Sequence, residues 1–143
     1  MKLTQTIIVS RLPEKVFAFR CDLANTPTWQ RGVVSAILET PGPVGLGSRC
    51  AEVRNGPQSS LDDWNIEITE CDPSHVLCLT AQCAEAQWEE RHEFVMDGTK
   101  DTRYTLAIEV THSTVPAAKI QKQIVETLLQ LKWAMEGPIQ LTR

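Results

Sequence analysis

Glu90 and His92 are the residues of this 143-residue chain best suited to chemistry. They stand two apart in Gln87–Asp97, a segment whose alternation predicts a strand. On one strand face their Cα atoms lie about 6.5–7 Å apart, so both side chains can reach one substrate atom. Burial pushes each toward its neutral form, and mutual attraction does the reverse. Such a pair can serve as general acid and base near neutral pH. The competing reading is that both make structural hydrogen bonds, or that a bulge turns them to solvent. Trp64, Trp88 and Tyr104 each combine an apolar body with a polar tip. They suit the wall of a ligand cavity, with plain core as the alternative, and Tyr104 joins Glu90 and His92 as a weak catalytic candidate.

These side chains share a location only if the strands present one common face. In Gln87–Asp97 the odd positions Glu89, Arg91, Glu93 and Val95 read as the solvent face. The even positions Trp88, Glu90, His92, Phe94 and Met96 are then inward. In Thr102–His112 the apolar set is Tyr104, Leu106, Ile108 and Val110, and in Leu61–Cys71 it is Trp64, Ile66 and Ile68. Val33–Thr40 and Ser48–Asn55 do not alternate cleanly, and their faces stay unassigned. With Thr4–Val9 and Val76–Gln82, a sheet of six or seven strands is expected. Asp97-Gly98 and other short Pro/Gly connections favour antiparallel neighbours.

Two elements interrupt the strands. Pro13–Leu23 reads as a short helix opened by Pro13, with one further turn near Pro27. Ala117, Ile120, Ile124, Leu128, Leu131 and Met135 follow helical spacing and predict one helix of about 20 residues, stopped at Gly137-Pro138. Its stripe must bury against the sheet. Ile124 and Leu128 are candidate ligand contacts as well as packing residues. Lys119, Lys122, Lys132, Glu126 and Glu136 read as its solvated face, and Trp29 and Trp133 as structural. Gly45-Leu46-Gly47 reads as a turn, since it lacks the later Gly and helix of a phosphate loop.

Length and composition fit one domain over 1–143 with 42% hydrophobic and 22% charged residues. Acids exceed bases by 18 to 14, a net charge of −4, which argues against nucleic acid as a partner. No apolar run approaches the roughly 20 residues of a membrane span, so no integral membrane association is expected. Met1–Thr6 is too polar for a secretory signal, and a cytoplasmic protein is expected. The five cysteines include no C-x-x-C. In a strand, the odd separations between His75, Cys78 and Cys83 place neighbours on opposite faces. Buried or semi-buried thiols without metal are expected.

The order strand, helix, antiparallel sheet, long C-terminal helix comes with recurring local patterns. They are Pro13-x-x-Val16-Phe17, Asp22-Leu23-x-Asn25-x-Pro27-x-Trp29, Gly45-x-Gly47, Asp97-Gly98-Thr99 and Leu131-Lys132-Trp133-Ala134-Met135-Glu136. Together they resemble the START-like (SRPBCC) superfamily, in its polyketide cyclase/dehydrase and lipid-transport branch, over residues 3–137. The resemblance implies an α+β helix-grip fold, with two short helices after strand 1 and a hydrophobic tunnel between sheet and last helix. It also implies a small hydrophobic or aromatic guest, lipid- or polyketide-like. Trp64, Trp88, Glu90, His92, Phe94, Tyr104, Leu106, Ile124 and Leu128 would be its contacts. No cofactor is implied, and a homodimer is possible. Cyclases of this type place Arg, Tyr or His in the tunnel; Tyr104 and His92 match loosely, and no tunnel arginine stands out. The alternatives are a cyclase or dehydratase and a protein-binding, co-chaperone-like adaptor.

Overall fold

A computed structural model describes residues 1–56 and 60–137. The chain opens with β1 (Lys2–Val9), followed by α1 (Pro13–Cys21) and a 3-10 helix (Leu23–Thr28). Six strands form a meander: β2 (Val33–Leu38), β3 (Arg49–Asn55), β4 (Leu61–Asp72), β5 (Val76–Gln82), β6 (Ala86–Asp97) and β7 (Asp101–Ser113). Helix α2 (Ala117–Glu136) closes the described chain. The seven strands make one antiparallel sheet in the order β1-β7-β6-β5-β4-β3-β2, leaving β1 and β2 as its edges.

Local chemistry explains these elements. Pro13 occupies the first turn of α1, where its missing N–H costs nothing, and Val16, Phe17, Arg20 and Cys21 form the buried stripe. The helix ends at Cys21 rather than Leu23, and the turn expected around Pro27 is the 3-10 helix. At the β6–β7 hairpin Gly98 takes φ of +70°, a left-handed conformation open to a residue without Cβ. In α2, Ile120, Ile124, Leu128 and Leu131 are all buried, each worth about 1.5–3 kcal/mol. Gly137 caps the helix through its N–H to Trp133 O at 2.8 Å. Pro138 lies outside the described residues.

Helix α2 crosses the concave side of the sheet, and its backbone comes closest to β1. Side chains tie it down on both flanks. Gln121 Nε2 donates to Gln5 Oε1, Lys132 Nζ to Ile8 O, and Ser10 N to Glu136 Oε2. On the other flank Gln30 Nε2 donates to Thr127 Oγ1 and Arg31 N to Gln130 Oε1. Lys132 and Glu136 are therefore half-buried anchors and not a freely solvated face.

One inward assignment needs correction. Met96 is 50% exposed, because it sits at the hairpin end of β6, beyond the cover of the helices. Of the two tryptophans read as structural, Trp29 is buried and Trp133, on α2, is 47% exposed. Among the described residues no helix is long and apolar enough to cross a membrane.

Candidate functional site

The even positions of β6 up to Phe94 point into the concave side. Trp88, Glu90, His92 and Phe94 are all buried, and His92 is 0% exposed. β7 lies beside β6, with His92 opposite Leu106 and Phe94 opposite Tyr104. Glu90 is the hub of this face. Trp88 Nε1 donates to its Oε2 at 2.9 Å, and His92 Nε2 lies 2.9 Å from its Oε1. Arg20 Nη2 reaches the same Oε1 at 3.5 Å. On the far side of the imidazole, His92 Nδ1 meets the Tyr104 hydroxyl.

Charge states follow from these contacts. Burial alone would raise the Glu90 carboxyl, but the hydrogen bond from His92 and the nearby Arg20 and Arg54 hold it down to about 2. Burial, reinforced by the Arg20 charge, pushes His92 down to about 4. At neutral pH Glu90 is thus ionised and His92 neutral. A neutral imidazole has one N–H. It donates from Nε2 to the carboxylate, leaving Nδ1 to accept from Tyr104. Burial also raises the Tyr104 phenol, so it stays a donor. Arg20 keeps its charge: Tyr104, Glu90 and Glu52 together outweigh the opposing effect of burial.

A second ion pair adjoins the first. Glu52, buried on β3, accepts from Arg54 Nε and Nη2, both at 2.8 Å. The Arg54 guanidinium lies 4.6 Å from the Trp64 ring centre, and Trp64 packs on Trp88 at 4.8 Å between centres. The inward face of β3 is thus Cys50, Glu52 and the half-buried Arg54. Its charges obscure the alternation and explain why this strand's face stays undecided from sequence.

A cavity of about 60 Å³ opens between this face and α2. Arg20, Arg54, Trp88 and Glu90 border it on one side, with Leu106 and Ile108. Ile120, Gln123, Ile124 and Thr127 border it from α2, and Gln30 from the loop before β2. Of the residues expected to meet a ligand, Trp88, Glu90, Leu106 and Ile124 therefore border this space. Trp64, His92, Phe94, Tyr104 and Leu128 are buried but not in its wall. Phe17 of α1 fills the region beyond. It packs edge-on against Phe94, which stacks on Tyr104 at 5.0 Å and 8°. His92 and Tyr104 consequently reach the cavity through Glu90.

Two arginines border the cavity where none is evident in the sequence. Arg20 carries a usable signal, since it falls on the helical stripe of Val16, Phe17 and Cys21. Arg54 carries none without the β3 register. The Arg20 Nε, moreover, has no hydrogen-bond partner among the described residues although it is buried. Among the same residues no group of three His, Cys, Asp or Glu is placed to hold a metal.

The sequence matches no family model and no curated protein. Solved structures are similar over nearly the whole chain. A START superfamily protein from Mycobacterium smegmatis is 18% identical with a TM-score of 0.75, the match covering 95% of this chain and 94% of that one. An aromatase/cyclase from a Streptomyces strain is 9% identical with a TM-score of 0.82, covering 95% and 93%. A major latex-like protein from Panax ginseng is 10% identical with a TM-score of 0.76, covering 94% and 97%.

Proposed function

From the premise that this chain has the START-like, helix-grip fold, we propose that it binds a small molecule between α2 and the sheet. The guest has an apolar or aromatic body and an uncharged polar head, such as a carbonyl. The observation that carries this reading is the mixed wall of the cavity. Leu106, Ile108, Ile120 and Ile124 supply apolar surface, while Arg20, Arg54 and Glu90 supply polar contact. The charges already compensate one another, Arg20 against Glu90 and Arg54 against Glu52. A guest carrying its own full charge would bring a buried ion without a partner, which is costly. A neutral acceptor oxygen instead suits Arg20, whose Nε is unpartnered; a hydrogen bond to a charged donor is worth about 1.5–3 kcal/mol.

Size limits the guest. Pockets for drug-sized ligands run to about 300–1,000 Å³, so 60 Å³ has room for a few waters as it stands. A lipid- or polyketide-sized guest requires the long side chains of the wall, Gln30, Arg54 and Gln123, to swing aside. Native mass spectrometry of the purified protein, followed by titration with neutral aromatic ketones and their carboxylate analogues, tests the reading. Ketones are expected to bind and carboxylates to bind at least tenfold more weakly. A preference for the carboxylates, or no binding by either series, would overturn it.

An enzyme of the cyclase or dehydratase kind is the second reading, favoured by the Tyr104–His92–Glu90 chain ending at the cavity. A carboxylate held to about 2 is a weak base for proton abstraction at neutral pH, where a value near 7 works best. Binding therefore ranks first.

A further inference from the structure

The cavity wall reaches the surface along one flank of α2. Of the residues that border it, Gln30, Arg54 and Thr127 are half-buried, Gln123 is exposed and the rest are buried. Gln123 and Thr127 stand four apart on α2, on the flank shared with Gln130, whose Oε1 accepts from Arg31 N at 3.1 Å. Gln30 and Arg54 border the same opening from the stretch before β2 and from β3. The opposite flank, toward β1, is shut: Gln121 is bound to Gln5, and the wall beneath is buried Leu106 and Ile108 of β7. Across the open flank Gln30 Nε2 donates to Thr127 Oγ1 at 3.3 Å, longer than the usual range of about 2.7–3.2 Å.

We propose that this flank is the entrance for the guest and that the Gln30–Thr127 hydrogen bond is a clasp controlling entry; the proposal rests on the binding function inferred above. The moving part is a side chain and not a loop, because the backbone of Gln30 is pinned. Its N–H donates to Thr26 O at 2.9 Å, its carbonyl accepts from Val33 N at 3.1 Å, and Arg31 is tied to Gln130. Helix α2 stays seated on Ile120, Ile124, Leu128 and Leu131. The Gln30 amide is neutral and half-buried at the rim, so it exchanges Thr127 for water at little net cost. Arg54 is held more firmly. Two contacts at 2.8 Å join it to Glu52, it lies over the Trp64 ring, and charge-assisted bonds are roughly twice as strong as neutral ones. At about 60 Å³ the cavity is smaller than a drug-sized guest, which therefore keeps Gln30 swung aside once it is bound. The clasp then stabilises the empty protein alone. It reduces the apparent affinity by the fraction of molecules whose mouth is open.

The experiment uses the full chain and stopped-flow fluorescence with Prodan, a neutral naphthyl ketone whose emission shifts on leaving water. Thr127→Val removes the acceptor and keeps the volume. Its association rate constant and its affinity should both rise about two- to tenfold, the factor for one neutral hydrogen bond, while the dissociation rate constant holds. Gln30→Ala should speed association in the same way. Thr127→Ser, which keeps the hydroxyl, should gain less than Thr127→Val. Gln121→Ala breaks the equivalent bond on the closed flank and should leave association unchanged. If Prodan binds but associates no faster with Thr127→Val and Gln30→Ala, or gains as much with Gln121→Ala, the entrance is refuted and the binding function stands. Wild-type protein that binds no Prodan would overturn both.

Discussion

Replacing His92 by Gln should flatten the loss of stability in mild acid. In the folded protein His92 is 0% exposed, and burial holds its pKa near 4 against an ordinary value of 6.5. Between those values the unfolded chain takes up a proton that the folded chain refuses. Stability therefore falls with pH, at about 1.4 kcal/mol per unit for one proton. The sign is that of any depressed group: the contribution is fully present above pH 6.5 and gone at pH 4. The span of 2.5 units, from 6.5 to 4, corresponds to about 3 kcal/mol, a sizeable part of the roughly 5–15 kcal/mol that holds a domain together. Urea denaturation of wild type and His92→Gln at half-unit steps from pH 7.5 to 4 measures it. The variant starts lower, having lost the fit to Tyr104. The gap should then close by about 3 kcal/mol as pH falls, because the carboxylates not in contact with His92 titrate equally in both proteins and the amide of the introduced glutamine still donates to Glu90. Parallel curves would refute the claim that a neutral imidazole is locked between Glu90 and Tyr104.

Two further substitutions probe the same interior. Tyr104→Phe removes the donor to His92 Nδ1 without creating a large void; thermal or urea melts should show a loss of about 1–3 kcal/mol from the stranded acceptor. Arg20→Met leaves the buried Glu90 carboxylate without its cation and should cost about 3–5 kcal/mol, whereas the double change with Glu90→Gln should recover part of that loss in a double-mutant cycle.

Legibility from sequence depended on how each residue declares its side. The β6 face was readable from Trp88 to Phe94 because acids and an arginine mark the odd positions, and the α2 stripe because its aliphatics keep a 3.6-residue period. The rule that charge means solvent hid the rest. Arg20, Glu52 and Glu90 are buried because each has an opposite charge at hand, and Arg54 is drawn in by Glu52 and Trp64. Pairings of this kind join residues about 70 positions apart for Arg20 and Glu90, beyond any local pattern. The side taken by Cys71 depends on one extra residue in β4, and a bulge inverts every alternation argument that follows it. Cavity size depends on side-chain volumes summed over five elements and has no sequence signature.

The side-chain ties of α2 have a mechanical consequence. The two rims of the curved β surface never pair with each other; they are spanned by a single rod, fastened to β1 on one margin and to the Gln30–Arg31 stretch that feeds β2 on the other. Such a tie bar is made of a few replaceable bonds and not of a continuous backbone ladder. The bowl beneath it is therefore closed by those side-chain bonds together with the buried Ile120, Ile124, Leu128 and Leu131, and by no strand pairing across the gap.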